Sequence, residues 1–235
     1  MCFHNALSKT ATEIENRFDA RFKDKTTFKP IYHGNGFSFM KWPVITQLAP
    51  DTIKLFNWGL IPFWTKNLSE AHKIRSLTLN AQGETVFNKP SFKYSISSMR
   101  CLILSSGFFE WHHLGNKKYP YFIYEKSHKL IAMGGIYSIW NNKKNGDIYN
   151  TFSIITTKAN KFVEKIHNTK KRMPLILMQD TEKEWLSQTL TPKQINELIK
   201  QPKEDFLMAH TVSPLISSPH KNSNIVEVQE AYHYM

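Results

Sequence analysis

The stretch that decides the fold lies between residues 101 and 157. It contains CLILSSGFFEW (101–111), YPYFIYE (119–125), LIAMGGIYSIW (130–140) and TFSIITT (151–157). Each run is rich in β-branched and aromatic side chains and is bounded by turn residues, which predicts four strands. GNKK (115–118) and NNKKNGD (141–147), the second with an Asn-Gly pair, predict hairpin tips. Helical signals lie on either side. Thr10 with Glu13 makes a capping box that opens a helix over residues 10–22, with Ile14 and Phe18 on one face. Downstream, ANKFVEKIH (159–167), a segment capped by Thr181 with Glu184 and running through Trp185, and a segment opened by Thr191, Pro192 and Gln194 predict three more. Helices at both ends of a β-rich centre predict the α+β class and a single domain over residues 1–235.

The remaining segments read less sharply. Residues 29–50 predict loops around a short strand, and IKLFNWGLIPFW (53–64) a strand that ends at Pro62. Residues 65–79 predict part helix and part loop, LNAQGET (79–85) a turn, RMPLILM (172–178) one strand, and 214–224 a loop-like tail.

Composition narrows the function classes. Hydrophobic residues make up 41% and aromatics 13%, which excludes disorder along the whole length. Lys and Arg total 31 against 19 acids, a formal charge of +12, which points to a polyanionic partner. No apolar run approaches the ~20 residues of a membrane-spanning helix. The only cysteines are Cys2 and Cys101, with no C-x-x-C, so a zinc site built on cysteines is excluded. His112 and His113 are adjacent with no ligand-spaced carboxylate or thiol, so neither a metal nor a cofactor is expected. The start, Met-Cys-Phe-His-Asn-Ala, lacks the cationic and apolar regions of a signal peptide. The expectation is therefore a reducing, cytoplasmic setting, with a monomer as the default.

Four residues invite chemistry. Once Met1 is removed, Cys2 carries an α-amine and a thiol on adjacent carbons. Such a 1,2-aminothiol condenses with an aldehyde to a Schiff base, and the thiol then closes a thiazolidine ring intramolecularly. The α-amine, with a reference pKa near ~8, keeps a useful neutral fraction at neutral pH. The plain alternative is a chance cysteine near a chain end. Glu110 shares a strand face with Phe108, opposite Phe109 and Trp111. It is either a desolvated carboxyl of raised pKa suited to proton transfer or a solvent-facing strand acid. Asn80 can hold a polar group or simply make a turn. His167 can shuttle protons or complement a helix dipole. Lys165, Lys170, Lys171 and Arg172 cluster beside it, and Trp58, Phe63 and Trp64 flank Pro62. Cations beside aromatic platforms hold single-stranded nucleic acid without sequence preference. The alternative is a solvated charge run next to core tryptophans, a reading that suits Trp58 better than Trp64.

Together these features resemble the SOS-response-associated peptidase family, the abasic-site processing proteins. The motifs are Met1-Cys2, WGLIPFW (58–64), NAQGET (80–85), RCLILSSGFFEW (100–111), TFSIITTKAN (151–160), IHNTKKRMPLIL (166–177) and HTVSPLI (210–216). The resemblance implies a β-barrel-like mixed-sheet core flanked by helices, and a basic channel for single-stranded DNA containing abasic sites. It implies autoproteolytic removal of Met1 and a covalent thiazolidine between Cys2 and the opened sugar. By the same resemblance Asn80 positions the Cys2 amine, and Glu110 serves in Met1 removal and ring closure. His167 assists sugar ring opening and crosslink reversal. Trp64, Gln82, Thr156 and Arg172 are the implied DNA contacts. The chain departs from the family pattern at Phe3 and His4, where Gly-Arg is usual, and at Gln82, where Arg is usual. The spacer between His167 and Arg172 is also longer than the common form. Two rivals are a non-covalent single-strand-binding module and a cysteine peptidase acting on other proteins.

Overall fold

The computed structural model describes residues 2–218 and 220–234, so the expected loss of Met1 lies outside the described residues. Its first half runs β1 (His4–Leu7), α1 (Ala11–Phe18), β2 (Arg21–Phe22), β3 (Ile31–Asn35), β4 (Lys41–Thr46), β5 (Ala49–Trp58), α2 (Leu68–Arg75), β6 (Asn80–Gln82) and α3 (Lys93–Ser98). Then come β7 (Arg100–Ser105), β8 (Gly107–Leu114), β9 (Lys117–Glu125), β10 (Ile131–Asn141), β11 (Ile148–Lys158) and α4 (Lys161–Ile166). The chain continues through β12 (Arg172–Pro174), β13 (Ile176–Leu177), α5 (Gln179–Trp185), α6 (Pro192–Leu198) and β14 (Leu207–Thr211).

The strands make an α+β domain around a closed barrel. β5, β4, β7, β10 and β11 are successive antiparallel neighbours. A parallel contact of β11 with β5 closes the ring, Thr151 opposite Asn57 and Phe152 opposite Trp58. Closure removes the open edges that a free sheet would present. A second sheet, ordered β14-β9-β8-β1-β3, stands beside it. β7 and β8 are nearly continuous, so one chain segment passes from barrel to second sheet. The hinge is Gly107, at φ +157, where a Cβ would sit 2.6 Å from the Ile123 carbonyl oxygen.

The apolar faces meet in a large core that includes Trp42, Trp58, Ile103, Phe108 and Phe152. Phe109, Phe122 and Val212, with Trp111 packed against them, form a smaller core on the other face of the second sheet. The alternation expected along GFFEW is thus observed. Trp58 is fully buried, its indole N–H donating to the Leu79 carbonyl at 2.8 Å. Arg100 is buried too, its guanidinium donating to the carbonyls of Ile96, Ser97, Trp185 and Ser187.

Several expected boundaries shift. The first helix keeps its Thr10–Glu13 capping box but stops at Phe18, because Asp19 turns left-handed at φ 49 and Arg21–Phe22 joins β5 as a strand. Residues 29–50 hold two whole strands, β3 and β4, and the start of β5, rather than one short strand. β5 ends at Trp58 instead of running to Pro62. Gly59, at φ +100, breaks the ladder where a Cβ would lie 2.8 Å from the Arg75 carbonyl oxygen. NAQ of the expected turn is a strand, β6, laid parallel on β11. RMPLILM divides into β12 on β11 and β13 on β10, with the Leu175 N–H given to Ile155. α5 is capped at Met178, and the Thr181 hydroxyl donates back to the Met178 carbonyl instead of capping the helix. The Thr191 capping box with Pro192 forms as expected.

Candidate functional site

Strand pairing brings the two ends of the site together. β1 pairs with β8 with His4 opposite Phe109 and Asn5 opposite Phe108. This register carries Cys2, just before β1, to Glu110 on β8. Both are almost wholly buried, Cys2 at 2% and Glu110 at 3% exposure. The Cys2 thiol and the Glu110 carboxyl are electrostatic neighbours, each shifting the other's protonation. Burial, reinforced by this acid, holds the Cys2 thiol well above the ordinary thiol pKa. The same desolvation lifts Glu110 to about 7.

His167 completes the cluster. It caps the C-terminal end of α4, whose start is held by Asn160 Oδ1 accepting the Val163 N–H at 3.0 Å. Its Nδ1 lies 2.8 Å from the Arg172 carbonyl oxygen and 3.3 Å from Glu110 Oε2. An Nδ1–H donating to that carbonyl assigns the tautomer. Burial depresses His167 to about 4, so the ring is neutral at pH 7.

Two side chains outside the expected set build this geometry. Asn168 grips the main chain of β8 at both amide ends: its Oδ1 accepts the His113 N–H at 3.0 Å, and its Nδ2 donates to the His113 carbonyl at 2.7 Å. That pair imitates a strand ladder and ties the His167 segment to the strand that carries Glu110. Glu84 holds Arg172 bidentately, at 2.6 and 2.9 Å. Asn168 directly follows His167 and Glu84 lies two residues after Gln82, but neither position carries a local signal of a partner so distant in the chain.

The other expected residues sit on the barrel side. Gln82 and Thr156 are opposite each other on β6 and β11. Thr156 is buried beneath Arg172, whose Nη2 donates to its carbonyl at 2.6 Å and lies 3.2 Å from its Oγ1. Gln82 is exposed. Asn80 lies two residues back on β6, and its buried amide nitrogen and oxygen make no hydrogen bond among the described residues. The structure therefore gathers Cys2, Glu110 and His167, and leaves Asn80 without a hydrogen bond to any of them. Trp64, in the loop after β5, is 39% exposed, near the exposed Phe63 and Tyr94, whose rings meet edge to face at 5.3 Å. A cavity of about 620 Å³ opens over Glu110 and His167 and is bordered by His4, Trp111, Lys118 and Lys170. Among the described residues no group of three or more His, Cys, Asp or Glu could hold a metal ion, and no helix is long and apolar enough to cross a membrane.

The family model described as SOS response associated peptidase (SRAP) matches residues 1–219. The chain belongs to the SRAP family. It is 34% identical over 238 residues to the abasic site processing protein YoaM of Bacillus subtilis (strain 168), covering all of both chains. It is 41% identical over 182 residues to YoqW of the same organism, also named an abasic site processing protein, covering 77% of this chain and 78% of that one. The SRAP fold is matched by a crystal structure of a Bacteroides thetaiotaomicron protein, with a TM-score of 0.93 and 38% identity over 99% of this chain and all of the other.

Proposed function

We propose that this chain processes abasic sites by covalent capture. After autoproteolytic loss of Met1, the Cys2 amine condenses with the aldehyde of the opened sugar in single-stranded DNA, releasing water. The thiol then adds across the C=N bond, forming a C–S bond and leaving the thiol proton on nitrogen. The step balances without oxidant or cofactor. What carries this reading is the strand register that buries the Cys2 thiol near a carboxyl poised near neutrality, which itself lies 3.3 Å from a neutral imidazole. A carboxyl with a pKa of about 7 can take the thiol proton and return it to nitrogen at working pH. In this reading Glu110 also serves in Met1 removal, and His167 moves protons during sugar ring opening and reversal. Asn80, whose buried amide makes no hydrogen bond among the described residues, orients the Cys2 amine. Trp64 lies against bases, while Gln82, Thr156 and Arg172 border the strand. Names of relatives such as YoaM support abasic DNA as the substrate, and the charge of +12 supports a polyanion. The working form is a monomer in the cytoplasm, at damaged DNA.

The test is a denaturing gel of the protein with single-stranded DNA carrying one abasic site, using protein whose intact mass shows Met1 lost. A shifted band that is absent with Cys2→Ala and with undamaged DNA is expected. No band from protein with a free Cys2 amine overturns covalent capture in favour of a non-covalent single-strand-binding module.

A further inference from the structure

A second cavity, of about 700 Å³, opens in another part of the barrel wall. Its position follows from strand pairing. β5 pairs with β2 at Thr52 and Ile53, and with β11 at Asn57 and Trp58. Between these contacts, Lys54, Leu55 and Phe56 have, among the described residues, a ladder partner only in β4. The cavity lies in that split.

Its lining combines two chemistries. The floor is apolar, with Phe22, Ile31, Ile53 and Phe56 buried. Phe28 stacks on Phe22 with ring centroids 4.9 Å apart and stays half-buried at the wall. Around this floor stand Lys23, Lys29, Lys41 and Lys54, against one acid, Asp24. That carboxylate is engaged by Thr26, whose backbone N–H and hydroxyl donate to it at 3.1 and 2.7 Å. None of the four lysines makes an ion pair among the described residues. Asn224 is fixed at the rim, its Oδ1 accepting the N–H groups of Tyr32 and His33 at 2.7 and 3.2 Å.

Four ammonium groups around one cavity repel each other until an anion enters. A bare anion leaves the aromatic floor unused, and an apolar ligand leaves the charge unbalanced. A flat base joined to phosphate satisfies both, and the volume falls in the ~300–1,000 Å³ range of ligand sites. We propose that this cavity is a nucleoside phosphate site, with the base against Phe28 and the phosphates among Lys23, Lys29, Lys41 and Lys54. The ligand is either a free nucleotide or one nucleotide of a DNA strand. The second source is within reach. β3 runs from Ile31 at this cavity to Asn35 at the cavity over Glu110, four residues or about 13 Å of strand.

The test uses Cys2→Ala protein, so it stands apart from covalent capture. It is titrated calorimetrically with dATP, inorganic triphosphate and deoxyadenosine. dATP binds saturably, about tenfold or more tighter than either fragment. Lys29→Ala/Lys54→Ala weakens both dATP and triphosphate by about tenfold. Phe28→Ala weakens dATP alone. Lys183→Ala/Lys193→Ala, the same charge change on α5 and α6, alters neither, and thermal unfolding confirms that each variant folds. A 15-nucleotide single strand separates the sources. If it displaces dATP, and its log–log salt slope falls by about 1.4 in Lys29→Ala/Lys54→Ala, the site takes a nucleotide of the strand. If dATP remains bound, the site takes the free nucleotide. Binding of dATP and of the strand that is the same in Lys29→Ala/Lys54→Ala as in Lys183→Ala/Lys193→Ala overturns the proposal.

Discussion

Replacing Glu110 by Gln tests the electrostatics of the site directly. Burial raises this carboxyl from its ordinary 4.5 to about 7, so the folded state binds its proton more tightly than the unfolded chain. The stability it contributes is full below pH 4.5 and is lost as the pH rises through 7. The shift corresponds to about 3 kcal/mol in all. At pH 8 nearly all of that counts against folding, and at pH 5 about a quarter, so the two conditions differ by about 2.5 kcal/mol. Gln keeps the shape and cannot ionise. Any hydrogen bond it loses or gains acts equally at both pH values, and His167, depressed to about 4, is neutral in the folded state at both. Urea unfolding at pH 5 and pH 8 reads the result, with intact mass showing that both proteins share one N-terminus. The variant gains on the wild type by about 2.5 kcal/mol between pH 5 and pH 8. A stability difference that is independent of pH refutes the assignment of a neutral-range carboxyl.

Cys2→Ser keeps the amine and loses the thiol, so its DNA adducts require reductive trapping while wild-type adducts survive heating; equally labile wild-type adducts contradict ring closure. Asn168→Ala removes both hydrogen bonds to His113, costing about 1–2 kcal/mol in denaturant unfolding. It also slows adduct formation without weakening non-covalent DNA binding, and an unchanged adduct rate removes Asn168 from a positioning role. Arg100→Met strands the carbonyls of Ile96, Ser97, Trp185 and Ser187 and lowers stability by about 4 kcal/mol, read as a fall in Tm. His4 and His33 are held at about 3 and about 4 by burial, so their stability contribution is full above pH 6.5 and lost as the pH falls toward those values. His4→Phe/His33→Leu flattens the acid limb of stability between pH 6.5 and 4; an unchanged limb refutes that.

The four central runs were legible as strands because alternation and β-branching are local properties, and Phe108 against Phe109 shows the alternation carried through into two separate cores. Capping boxes at Thr10 and Thr191 were legible for the same reason. Closure of the barrel was not, because it rests on Thr151 and Phe152 meeting Asn57 and Trp58 across more than ninety residues. NAQ looked like a turn because three residues carry no periodicity; only the edge of β11 makes them a strand. At the site, Cys2 stood out by chemistry and Glu110 by its neighbours. Glu84 and Asn168 did not, since their partners Arg172 and His113 are set by tertiary packing.

The charge pattern follows one logic. The chain as a whole is strongly cationic, yet the side chains around Cys2 carry little net charge at neutral pH. The thiol is protonated, His167 is neutral, Glu110 is near its midpoint, and Arg172 is matched by Glu84. Lys118 and Lys170 stand at the rim of the same cavity. A rim of cations concentrates a polyanion, while passing the thiol proton to the Glu110 carboxylate moves an existing charge rather than creating a new pair in a dry site. A permanent cation in place of His167 would hold Glu110 ionised and remove the acid that the proposed ring closure needs. For the proposed covalent capture, the near-neutrality of the side chains at the site therefore matters as much as the basicity of the surface.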